Sequence, residues 1–236
     1  MNAQTKSREK LKTIVACGVF AAFAYICCVL FHFRVSFLSF ELKDAVMAVG
    51  AMSLGPVAGA AMVAIVCLVE LVTISSTGVY GLVMNLLSSM TYVCIGSAIY
   101  HRHRTMRGAV VGTIAASVAT VAVMIAANCV ITPAYMHVQT AEVLAMIPTV
   151  LLPFNVTKTV FNSAVVFLLY KPVTNALVSA GFLQKRASAG MENASTEAMA
   201  KAKSRRSIFV PVISAVLMIV CLLYFFLVLD GNFTLR

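Results

Sequence analysis

A succession of apolar runs, most of them long enough to cross a bilayer, dictates what this chain can become. They extend from about Thr13 to Phe31, Val57 to Ile74, Tyr80 to Tyr100, Gly108 to Ile131, from Pro153 to Tyr170, and from Ile208 to Leu229. Crossing hydrocarbon takes about 20 mostly apolar residues as helix, and every backbone polar group there needs a partner within its own segment. These runs are therefore predicted to be transmembrane helices. A shorter one, from Asp44 to about Leu54, ends at Gly55-Pro56, a turn signal. The run from Gly108 is expected to stop before Pro133, and residues 134–149 read as a loop or a helix lying at the interface.

Composition agrees. Hydrophobic residues form 61% of the chain and charged residues 11%, against about 45–50% and about 25% in soluble domains. The expected fold class is an all-α membrane protein, a six-helix bundle with an additional C-terminal transmembrane helix. Residues 1–173 would form the membrane domain, 174–207 a basic, flexible linker, and 208–229 the seventh span. The N-terminal MNAQTKSREKLK leads into a long apolar run without a small-residue cleavage site, and is read as part of a retained first helix.

The net charge of +10 does not indicate nucleic acid. Lys and Arg cluster between the apolar runs, with no zinc-finger spacing and no interleaved aromatics. With the N-terminus inside, 14 of the 18 lie on the cytoplasmic side and three (Arg34, Lys43 and Arg236) lie outside. That asymmetry predicts a multi-pass plasma-membrane protein with a cytoplasmic N-terminus. His101-Arg102-His103-Arg104 belongs to this topological signal. The seven cysteines, at 17, 27, 28, 67, 94, 129 and 221, all fall in apolar segments without CxxC spacing, so they are read as packing residues. No metal site is expected.

Ionisable groups within spans cost about 2.5–3.5 kcal/mol on insertion scales and mark function by default. Glu70 and Lys158 are the two, joined by Asn85, Asn128, Asn155 and Asn162. In the predicted topology Glu70, Asn85, Asn128 and Lys158 each lie about one helical turn, roughly 5–8 Å, below the external boundary. Asn155, Lys158 and Asn162 share one helical face. Four helices thus offer polar groups at one depth, as an outward-facing pocket for a polar, ring-bearing small molecule requires; the alternative is that the amides only bond neighbouring helices. On the first span, Gly18 with Ala22 and Cys17 with Ala21 form small-xxx-small faces suited to close helix contact.

The sequence holds no GxxxxGK[ST], HExxH or GxSxG, so neither ATP binding by a P-loop nor familiar hydrolase chemistry is expected of it. It is not read as an enzyme and no cofactor is implied. Any active transport would draw its energy from another subunit.

FLSFELKDAV, LGPVAG, STGVYGLVMNLL, NCVITPAY and LLPFNVTKTVFNS followed by LLYKPV together resemble the substrate-binding S components of energy-coupling factor (ECF) vitamin transporters, specifically the riboflavin-binding members. The resemblance covers roughly residues 12–173, and LPFNxxK is its most specific motif. It implies a six-helix fold with an outward vitamin pocket partly covered by the loop between the first two helices. It also implies docking on a module of two ATPases and a transmembrane coupling protein, in part through Cys17, Gly18, Ala21 and Ala22. Asn128, Asn155 and Lys158 would face the isoalloxazine ring and Asn85 and Thr77 would lie nearby, while the Phe40–Asp44 loop, with Glu41 and Asp44, would help close the pocket. Asn162 and Glu70 complete the candidate set. Cys129 stands where the family commonly has an aromatic, and the seventh span is not explained by the resemblance; it is expected to lie peripheral to the pocket. Competing readings are an S component for another vitamin, a standalone secondary transporter using Glu70, and a membrane scaffold.

Overall fold

The computed structural model describes residues 3–35, 38–180, 196–229 and 232–233. Six long helices are described: α1 (Ala3–Leu30), α3 (Pro56–Thr73), α4 (Gly78–Arg102), α5 (Met106–Met136), α7 (Leu152–Ser179) and α8 (Thr196–Leu227). A short α2 (Lys43–Leu54) lies between α1 and α3, and α6 (Thr140–Met146) joins α7 through a π-helical turn over Ile147–Leu151. Among the described residues, five helical stretches are long and apolar enough to cross a membrane, beginning at Lys10, Pro56, Gly78, Met106 and Thr140. The apolar part of α8, Pro211–Leu227, is slightly shorter.

The bundle is built around α2. Twelve residues cannot cross a bilayer alone at about 1.5 Å per residue, yet every residue from Lys43 to Met52 is buried. It packs against α1, α3, α4 and α7. Small residues make this possible: Ala45, Ala48 and Ala51 are almost wholly enclosed, and a Cβ on Gly59 of α3 would stand 2.6 Å from the Cβ of Ala51. The turn from α2 to α3 needs Gly55 at φ +115°, a backbone region closed to most side chains, and Pro56 then occupies the first turn of α3.

Several boundaries differ from the sequence expectation. Pro133 does not stop α5, which continues to Met136 and ends where His137 takes the left-handed conformation at φ 56°. A proline near a helix end disturbs only the last turn. Residues 140–146 are helical, one of the two readings the sequence left open, with Gln139 and Glu142 forming a capping box. Helix α7 passes Pro172 and reaches Ser179. Of the expected linker, 181–195 lies outside the described residues, whereas 196–206 is the helical start of α8 rather than loose chain. The aromatic segment after α1 is not simple loop: β1 (His32–Val35) and β2 (Leu38–Glu41) pair antiparallel, and β3 (Asn232–Phe233) pairs antiparallel with β1, giving the order β2-β1-β3. This hairpin, the α3–α4 turn and α6 share one end of the bundle.

Candidate ligand-binding site

The α2 N-terminus sets the geometry beneath the hairpin. Helix starts leave N–H groups unpaired, and Leu42 provides no side-chain cap. Asn162 of α7 substitutes from a distance: its Oδ1 accepts the Ala45 N–H at 3.2 Å while its Nδ2 donates to the Lys158 carbonyl at 3.0 Å. Asp44 lies in the first turn, where the helix dipole favours a carboxylate, and accepts the Ser89 hydroxyl at 2.5 Å.

Next to these lies a buried ion network. The Lys43 side chain is fully enclosed, with its ammonium 2.6 Å from Glu41 and also paired with Glu70. Asn85 of α4 donates its Nδ2 to the other Glu70 oxygen at 2.8 Å. Lys43, counted from the sequence among the outer charges, thus lies buried at the start of α2. A carboxylate embedded in a span needs a counter-charge, and Lys43 supplies it. The sequence carried the clue in Glu41-Leu42-Lys43-Asp44, charges packed onto the start of a helix whose other residues are apolar. The Cys28 sulfur and the Glu41 and Glu70 carboxylates lie within 4.8 Å of one another, but Lys43 bridges both carboxylates and a metal ion would have to displace it.

Above this network opens a cavity lined by Glu41, Glu70, Thr77, Asn85, Asn128, Asn155 and Lys158. Seven of the nine sequence-selected ligand residues thus meet in one wall; Asp44 and Asn162 are not among the lining residues and serve α2 as described. The cavity volume is about 80 Å³. A ring-sized guest would need the wall to move outward, since ligand pockets run to roughly 300–1,000 Å³.

The wall's amides are oriented by their own helices. Asn128 Nδ2 donates to the Met124 carbonyl at 2.7 Å and its Oδ1 accepts from Thr132 at 2.8 Å. Asn155 Nδ2 donates to the Leu151 carbonyl at 2.8 Å, which leaves its Oδ1 as an acceptor for a guest. Lys158 reaches the Ser39 carbonyl of the hairpin at 3.4 Å, a long bond that leaves most of its donor capacity unused. Glu41 and Glu70 are matched by Lys43 and Lys158, so the wall suits an uncharged polar molecule better than an ion. Apolar and aromatic lining comes from Leu38, Tyr80, Met84, Met124, Tyr135 and Phe154. Tyr80 and Tyr135 pair with ring centroids 5.9 Å apart. Neither tyrosine was singled out from the sequence, although both lie near the ends of apolar runs on the pocket side.

On α1, Gly18 and Ala22 face outward, and a Cβ on Gly18 would meet nothing within 4 Å. Cys17 is half-buried, and Ala21, at 5% exposure, packs inside the bundle. The expectation that all four present a docking surface is therefore corrected for Ala21, which has no surface to offer. Among the described residues, α8 contributes none to the cavity lining, but it is not a detached appendage: Phe225 is buried against Phe40 of the hairpin, with ring centroids 5.5 Å apart.

Long apolar helices surround a buried half-length helix, with a polar cavity under a hairpin at one end, the build of a membrane protein with room for a small molecule. The chain belongs to the family of ECF transporter substrate-specific components, whose model matches residues 12–170. It is thus the S component of an ECF transporter, a multi-pass membrane protein that associates with an energy-coupling module, and not an enzyme. A solved structure described as "Structure and mechanism of the S component of a bacterial ECF transporter" is similar to it, with a TM-score of 0.61 at 22% identity, covering 71% of this chain and 98% of that chain. No curated protein matches the chain. Helix α8 lies beyond the residues that the family model matches.

Proposed function

We propose that this S component binds riboflavin and delivers it, with the ATP-driven coupling module, across the plasma membrane. The observation that carries the reading is the cavity wall: Asn85, Asn128, Asn155 and Lys158 converge with Tyr80, Tyr135 and Phe154 on one space. An isoalloxazine edge presents carbonyls and ring nitrogens, which amides and an ammonium can pair with, and its flat faces suit aromatic contacts. The LPFNxxK stretch that contributes Asn155 and Lys158 also carries the sequence resemblance to riboflavin-binding members.

The cavity would open outward. Among the described residues, the basic positions assigned inside by the sequence, at the start of α1, between α4 and α5, late in α7 and at the start of α8, lie toward the bundle end opposite the hairpin, and burial of Lys43 removes one charge from the outer count. The positive-inside bias then favours a cytoplasmic N-terminus. Reading Glu70 as the cation site of a secondary transporter is disfavoured, because Lys43 and Asn85 already occupy its carboxylate.

Flavin fluorescence quenching on purified protein tests the ligand. We expect Asn155→Ala and Lys158→Ala each to weaken riboflavin binding by about 5- to 150-fold, the loss of one buried polar pairing. Wild-type binding in both variants would reject the site. Tight binding of a different vitamin, with no response to riboflavin, would keep the architecture and replace the ligand.

A further inference from the structure

The C-terminal segment touches the hairpin at two places, one on α8 and one on β3 beyond it. Ser214, Cys221, Phe225 and Leu229 are buried along one stripe facing α7, with the spacing of a helix that hides one face. Val212, Ile213, Val216, Ile219, Val220 and Leu223 are exposed on the remainder. At the pocket end of this stripe Phe225, 2% exposed, meets Phe40. Phe40 is the hub of an aromatic cluster, with centroids 5.0 Å from Phe161 and 6.5 Å from Phe154, both at steep edge angles.

Phe40 lies on the strand that forms one cavity wall. Its neighbours Ser39 and Glu41 line the cavity, whereas Phe40 does not. Across Ser39, Phe40 and Glu41 successive side chains take opposite faces of the strand, while Leu38 at the strand's start also reaches the cavity. The seat of Phe40 among the three rings therefore fixes where Ser39 and Glu41 stand. The second contact is backbone pairing: beyond α8, β3 joins β1 in the register Phe33↔Phe233 and Arg34↔Asn232. A two-stranded hairpin is marginal by itself, and a third strand with apolar backing gives it support.

We propose that α8 and β3 form an intramolecular brace on the hairpin, with Phe225 as a positioning residue acting through Phe40, and that this brace slows ligand exchange at the cavity. The ligand part rests on the riboflavin reading above; the brace itself does not. To lift the hairpin, the chain would have to separate Phe40 from Phe225 and β1 from β3, in addition to the Lys43–Glu41 and Lys158–Ser39 ties. The residues involved, 225 and 232–233, lie beyond the 12–170 stretch that the family model matches, so the brace is an addition of this chain to the family unit.

The test compares the full chain in detergent with Phe225→Ala, Phe225→Leu and a chain ending after Leu229, which keeps α8 but lacks β3. Amide hydrogen exchange without ligand is followed over residues 32–41 and, as a control, over α4 and α5. Loss of one aromatic pairing is expected to speed hairpin exchange about 2- to 13-fold in Phe225→Ala, with partial recovery in Phe225→Leu and a rise in the chain ending after Leu229. The control helices should stay unchanged. Hairpin exchange equal to wild type in both Phe225→Ala and the shortened chain would overturn the proposal. So would a uniform rise across α4 and α5 that persists in Phe225→Leu, because α8 would then support the core and not the hairpin. In a second arm, riboflavin release is followed by stopped-flow fluorescence, and the variants should release it faster by a similar factor. Unchanged release despite faster hairpin exchange would overturn the effect on ligand exchange. Failure of wild type to bind riboflavin would sink the ligand reading alone, since the exchange arm still decides the brace.

Discussion

Two polar clusters lie side by side under the hairpin, and they treat their charges in opposite ways. In the first, Glu41, Lys43, Glu70 and Asn85 spend their polar groups on one another: Lys43 bridges two carboxylates and Asn85 takes the remaining Glu70 oxygen. In the second, Asn128, Asn155 and Lys158 are only held in place, by bonds to their own helices or by one long bond to the hairpin. The first cluster resembles a finished internal salt bridge, whereas the second keeps capacity toward open space. Both cost free energy to place in a membrane, so cost alone does not tell a structural group from a binding group. Remaining hydrogen-bond capacity does.

The sharpest way to break this comparison is to remove Lys43. Lys43→Met leaves Glu41 and Glu70 buried without their shared counter-charge, and breaking a buried pair this way costs about 3–5 kcal/mol. We expect a large drop in the thermal denaturation midpoint in detergent. Adding Glu70→Gln should recover part of it, because one of the stranded charges is then gone. A midpoint equal to wild type for Lys43→Met would mean that water or another cation compensates the carboxylates, and the two clusters would no longer differ in kind.

Asn85 belongs to both clusters, since it bonds Glu70 and lines the cavity. A hydrogen bond to a charged group contributes about 1.5–3 kcal/mol, so Asn85→Ala should lower stability measurably and weaken ligand binding as well. Asn155→Ala should behave differently. It removes one bond to the Leu151 carbonyl, about 0.5–1.5 kcal/mol, so its stability loss is smaller while its effect on binding is the larger one. Denaturation and ligand titration on the same two variants separate them. Equal stability losses with no difference in binding would merge the clusters.

Much of this arrangement was legible before any coordinates. The long apolar helices follow from run length, and the shared depth of Glu70, Asn85, Asn128 and Lys158 followed from counting turns from predicted span ends. The hidden parts share a physical cause. Lys43 was counted among the outer charges, because a helix that is buried on all sides has no amphipathic signature to reveal which of its residues are enclosed. Asp44 and Asn162 carried the right chemistry for a ligand, but the α2 N-terminus claimed it, and that demand arises only from packing between distant helices. The hairpin was invisible for a similar reason: β1 is stabilised by residues 232–233, nearly 200 positions away, a pairing that no local pattern encodes. Pro133 was the least informative signal, since it lies inside α5 instead of ending it.

The smallest expected effect on the fold concerns α1 and the partner it serves. Gly18 and Ala21 are both small residues on one helix, but Ala21 is packed inside the bundle while Gly18 looks outward onto open space. A larger side chain at Gly18 therefore has nothing in the chain to collide with, and exposed helix positions tolerate substitution within about 0.5 kcal/mol. Gly18→Leu should melt like wild type and bind ligand like wild type. Ala21→Leu should not, because overpacking a filled core costs about 1–3 kcal/mol. If the outward face of α1 is where the coupling module approaches closely, the two variants part again in the opposite sense. Gly18→Leu, although fully folded, should co-purify with less of the module, since small residues let membrane helices come together and a leucine holds them apart. Co-purification at the wild-type level with Gly18→Leu would move the docking surface elsewhere on the bundle, with the fold and the cavity unaffected.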